Sequence, residues 1–143
     1  KNPPKLLTLT GPTGCGKSHL AIAAAQELFS HDQPIVYREE AALIQELQHH
    51  IRDNSVDQAL KEFIEVPWLV IDDLGVTALG DWGRGIMDRL LNHRWENAEW
   101  CRTLITTNLI SSELPVRIAS RLGDVRQAAA IAIQAMDYRR TGD

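Results

Sequence analysis

Residues 11–18 read Gly11-Pro12-Thr13-Gly14-Cys15-Gly16-Lys17-Ser18, a loop that opens on glycine and closes on Gly-Lys-Ser. No other stretch restricts the architecture as much, because a loop of this spacing works only when a strand feeds it and a helix leaves it. The flanks agree. Leu6-Leu7-Thr8-Leu9-Thr10 is an apolar run of strand length, and residues 17–29 place Leu20, Ala24 and Leu28 at helical spacing. Gly11, Gly14 and Gly16 let the backbone turn its N–H groups onto phosphate oxygens, beside the positive end of the helix dipole. Lys17 adds a cation, and Ser18 offers a hydroxyl to Mg²⁺. Residues 11–18 are therefore expected to bind the phosphates of a nucleoside triphosphate.

The remaining chain supplies a sheet for that loop. Strand-like runs at 35–38, 68–71, 102–107 and 129–134 alternate with helical patterns at 39–52, 54–65, 82–95 and 115–123. Such alternation favours a parallel sheet covered by helices. A chain of 143 residues, 44% hydrophobic, has material for one substantial core, so one domain is expected over 1–143. Its net charge of −4 argues against a strong non-specific grip on nucleic acid, while leaving room for a local basic patch. Cys15 and Cys101 are too few for a disulfide scaffold, which points to a reducing cytoplasm, and no signal peptide or membrane-length apolar run appears.

Trp68-Leu69-Val70-Ile71 runs straight into Asp72-Asp73. A buried strand thus delivers carboxylates at its C-terminal end, where ligands gather in open α/β sheets. Asp72 is the expected Mg²⁺ carboxylate, and Asp73 is placed to polarise an attacking water. The competing reading is two acidic residues opening a turn before Gly75.

Gly-Pro-Thr-Gly-Cys-Gly-Lys-Ser-His, Leu-Val-Ile-Asp-Asp-Leu-Gly, Leu-Ile-Thr-Thr-Asn-Leu, Arg-Ile-Ala-Ser-Arg-Leu and Asp-Tyr-Arg-Arg follow one another along the chain. In that order they resemble the AAA+ ATPases. Within these the likeness is to the bacterial helicase loaders of the DnaC and DnaI type, related to DnaA and to IstB-type ATPases. The resemblance implies a P-loop NTPase of the AAA+ class, an α/β three-layer sandwich around a five-stranded parallel sheet, lacking the lid domain. It implies a core excised from a longer chain, without the N-terminal region that binds a partner. It places His19 with the nucleotide-binding residues, and Asn108 as a sensor beside the γ-phosphate on a strand between the loop strand and the Asp72 strand. Arg121 matches an arginine finger reaching the nucleotide of a neighbouring subunit, with Arg117 supporting the same face. Arg139 matches a second sensor contacting nucleotide within its own subunit. The catalytic set is then Lys17, Asp73, Asn108 and Arg121, with ATP and Mg²⁺ as cofactors.

The likeness also places residues 39–65 where initiators and loaders carry a helical insertion linked to single-stranded DNA. His49, His50, Arg52 and Lys61 lie there, but so do Glu39, Glu40, Glu46, Asp53 and Glu62, and both a DNA contact and a solvated face remain open. Trp82, Trp95 and Trp100 read either as base-stacking platforms or as core and interface residues. The leading expectation is an ATPase that loads or remodels a replicative helicase on single-stranded DNA. The alternatives are a transposition helper, an assembly module with little turnover, which Asp73 in place of a glutamate encourages, and a small-molecule kinase.

Overall fold

A computed structural model of the chain describes residues 4–135 and 137. The chain runs β1 (Leu6–Thr10), α1 (Lys17–Ser30), β2 (Ile35–Glu39), α2 (Glu40–His49), α3 (Val56–Glu65), β3 (Trp68–Asp72), α4 (Asp81–Glu96), β4 (Arg102–Thr107), α5 (Val116–Leu122) and β5 (Ala128–Ala132). All five strands are parallel, in the order β2-β3-β4-β1-β5. Right-handed crossovers dictate the layers. From β1 the chain crosses to the far edge at β2, then returns stepwise through β3 and β4 to β5, so α1 covers one face and α2 to α5 cover the other. This is a three-layer α/β sandwich, and no helical lid follows β5 among the described residues.

Two apolar clusters fill the layers. On the α1 face Leu9, Ala21, Val70 and Leu104 are buried, with Leu7, Ala25, Ile35, Tyr37 and Ile133 against them. The larger cluster joins Leu69, Ile71 and Ile105 to Leu43, Leu47, Leu60, Phe63, Leu90 and Ile118 from α2 to α5. No helix among the described residues is long and apolar enough to cross a membrane.

The differences from the expected elements have local causes. The inward stripe of α1 is Lys17, Ala21, Ala25 and Leu28, whereas Leu20 is 53% exposed. The helix starts directly on the loop, so the direction of Lys17 sets its phase and turns Leu20 about 100° from the sheet, leaving Leu28 as the one member of the expected stripe that faces inward. Helix α2 ends at His49 instead of continuing through Ile51. A turn closes there as Ser55 N–H donates to the His50 carbonyl at 3.0 Å and Ser55 Oγ pairs with His50 Nδ1 at 2.8 Å. Strand β3 extends one residue further, through Asp72, and β5 pairs with β1 from Ala128 to Ala132 rather than over 129–134.

Candidate functional site

The loop of residues 11–18 caps the C-terminal end of β1. Gly14 and Gly16 both sit in the left-handed region, with φ of 80° and 97°. A Cβ at Gly14 would also run into the Asp137 carboxylate. Lys17 is almost fully buried and folds back on its own loop, its Nζ donating to the carbonyls of Gly11 at 2.9 Å and Pro12 at 2.8 Å. Those carbonyls hold the ammonium over the cleft while the first N–H groups of α1 open toward it. Cys15 is buried beneath, its Sγ 3.7 Å from Lys17 Nζ. The cleft, about 180 Å³, is lined by Thr13, Gly14, Gly16, Lys17, Ser18, His19, Asp73, Val76 and Asn108.

Asp72 lies at the base of the site, 2% exposed. Three hydroxyls converge on its carboxylate. Ser18 Oγ donates to Oδ1 at 3.0 Å, Thr106 Oγ1 donates to the same oxygen, and the Tyr37 hydroxyl donates to Oδ2. Side-chain alternation explains the convergence: Val70, Leu104 and Tyr37 all face α1, so Asp72 and Thr106, each two residues on, face it too. Burial, then the Asp72 hydrogen bond and charge, push the Tyr37 phenol well above its ordinary pKa, so it remains a donor.

Thr106 also accepts from the Asp73 N–H at 2.9 Å, and Asp73 is left-handed with φ 57°. Two residues on, the Gly75 N–H donates to Glu40 Oε2 at 2.8 Å. Glu40 is 4% exposed, and burial raises its carboxyl pKa against the opposing pull of that bond. Tyr37, Thr106 and Glu40 are absent from the expected site. Reading strands β2 to β4 with a period of two would have put the first two on the Asp72 face.

Asn108, just beyond β4, reaches the loop, its Nδ2 donating to Thr13 Oγ1 at 3.1 Å. Strand β4 lies between β1 and β3. Lys17, Ser18, Asp72, Asp73 and Asn108 are thus brought to one end of the sheet, with His19 at the rim. Arg121 is not among them. Its guanidinium turns toward α4, Nη2 donating to Asn92 Oδ1, and Nη1 is buried without an acceptor among the described residues. Arg117 is exposed on the same helix. Arg139 lies outside the described residues.

The donors fit the expected groups. Ser18 Oγ and Asp72 Oδ1 are hard oxygens at hydrogen-bond distance, a pair suited to Mg²⁺, which keeps most of its waters. Lys17 and a helix N-terminus over an open cleft suit a triphosphate.

The family described as IstB-like ATP binding protein matches residues 4–134. The ATP-binding protein of insertion sequence IS1162 from Pseudomonas fluorescens is 29% identical over 106 residues, 74% of this chain and 45% of that protein. The replicative helicase loader DnaI of Bacillus subtilis is 29% identical over 113 residues, 77% of this chain and 35% of that protein. The chain therefore spans less than half the length of these curated relatives. Among solved structures, the DnaC helicase loader superposes with a TM-score of 0.71 at 30% identity, over 94% of this chain and 82% of that one.

Proposed function

We propose that this chain, which belongs to the IstB-like ATP-binding proteins, is a Mg²⁺-dependent ATPase core that turns over when assembled and serves an insertion-sequence transposase. The observation that carries the ATPase reading is the convergence of Lys17, Ser18, Asp72, Asp73 and Asn108 at one end of the sheet. The loop binds the phosphates, Ser18 and Asp72 hold the cation, and Asp73 with Asn108 orients the attacking water in line. A Mg²⁺ held by Ser18 and Asp72 would neutralise phosphate charge. Lys17 is the one lysine or arginine lining the cleft among the described residues. We therefore assign the second cation to Arg121 of a neighbouring subunit, where it stabilises charge growing in the transition state. Arg117 belongs to the same self-association face, and Arg139 to the subunit's own nucleotide.

Assembly is tested by the ATPase rate against protein concentration, for the native chain and Arg121→Ala. The native rate per subunit rises with concentration, and Arg121→Ala loses about 10³-fold or more of the stimulated rate. A full rate in dilute monomer removes Arg121 from the mechanism.

The family match and the IS1162 relative favour the transposase as client. Helicase loading on single-stranded DNA is the second reading, favoured by the likeness to DnaI and DnaC. Stimulation of the ATPase by purified transposase or by replicative helicase separates the two. On α2 and α3, Lys61 pairs with Glu65 at 3.7 Å, Asp57 with Arg89 at 2.6 Å, and Glu46 with Arg38 at 2.9 Å. That face is an ion-paired surface rather than a basic track, so we assign DNA contact to the assembled state.

A further inference from the structure

We propose that Tyr37 is a positioning residue for the cation-binding carboxylate, holding Asp72 in the rotation that presents Oδ1 to Ser18. This rests on the nucleotide reading above.

Asp72 is 2% exposed, so water does not satisfy its oxygens. Ser18 and Thr106 both donate to Oδ1, and among the described residues Tyr37 is the one donor to Oδ2. The two oxygens are thus held from opposite sides, Oδ1 from α1 and β4 and Oδ2 from β2. A carboxylate held at one oxygen turns about its Cβ–Cγ bond; held at both, it does not. The phenol is itself fixed, because its ring packs into the α1-face cluster of Leu9, Ala21, Val70 and Leu104. In the β2–β3 register Tyr37 lies opposite Val70, and Glu39 opposite Asp72, so the hydroxyl reaches Asp72 diagonally across the ladder. Hydrogen bonds to a metal-binding carboxylate set its direction and the affinity of the site.

The test is Tyr37→Phe, which keeps the ring and removes the hydroxyl. Binding of a fluorescent ATP analogue is followed from EDTA through increasing Mg²⁺, with a thermal melt of each protein. The variant needs about 10- to 100-fold more Mg²⁺ for half-maximal tightening, while its metal-free nucleotide affinity stays that of the native chain; its melting temperature falls by several degrees, because Oδ2 is left buried without its donor. Superimposable Mg²⁺ titrations overturn the assignment, as does an equal loss of affinity with and without metal. Failure of the native chain to bind the analogue under either condition overturns the nucleotide reading, and the Tyr37 role with it. If Tyr37→Phe does not fold, ¹⁹F spectra of the native chain labelled with 3-fluorotyrosine decide. The chain has two tyrosines, and Tyr138→Phe identifies the signals. The Tyr37 resonance moves when Mg²⁺ is added to the nucleotide-bound protein; a resonance that stays put overturns the proposal.

Discussion

Glu40 carries its carboxyl into a nearly dry corner with the Gly75 N–H as partner, beside a cavity that Arg84, Asp88 and Glu113 also line. Because burial raises its pKa, the folded state holds the proton to higher pH than the unfolded chain. The unfolded state then binds fewer protons, and stability falls as pH climbs from the ordinary glutamate value, about 4.3, through the folded value. Glu40→Gln keeps an acceptor for Gly75 and removes the titration. Denaturant melts of both proteins across pH 4 to 8 are expected to diverge, the variant gaining on the native chain as pH rises; parallel curves would exclude Glu40 as the source. Local sequence could name the loop, Asp72 and Asp73, because each sits at the end of a recognisable apolar run, whereas Asn108 is expected from the resemblance. It could not name Tyr37 or Thr106. Their partner lies 35 and 34 residues away, and only strand pairing brings them together.

At the scale of elements, Arg94 ties α4 to its neighbours. It is 2% exposed and donates to the carbonyls of Phe63, Ile64 and Val66 at the end of α3, and to the Arg102 carbonyl and Thr103 Oγ1 at the start of β4. The C-terminal dipole of α3 offsets part of the cost of burying the charge. Arg94→Met fills similar volume but strips these acceptors, so a loss on the order of 3 kcal/mol is expected. This corresponds to a melting temperature lower by about 10 °C. A melt within about 2 °C of native would show that the acceptors find other donors. In sequence, Arg94 looks like any polar residue on an amphipathic helix. The four interior-facing runs from β1 to β4 were legible because apolar clusters are bounded by polar or turn residues. The phase of α1 was not, since the loop, rather than the leucines, orients that helix.

For the whole molecule, nucleotide binding and folding are linked, since the loop takes its binding shape only on the intact sheet. At an ATP concentration about 100 times the dissociation constant, with Mg²⁺, the chain gains about 2.7 kcal/mol. A melting temperature higher by about 5–10 °C follows. Lys17→Ala is expected to abolish that shift, and an undiminished shift would place the triphosphate elsewhere. The sheet order has one more effect. Strand β4 is paired along both edges, and it carries the threonine that binds both acidic residues, with the asparagine that touches the loop just beyond its end. Edge strands have one pairing partner each, so fraying is expected to begin at β2 and β5 and to free Tyr37 from Asp72 before this middle rung opens. The centre of the candidate site and the architecture therefore share a lifetime: while the sheet keeps its middle, Asp72, Asp73 and the loop stay tied together, and once they part the sheet has already come apart.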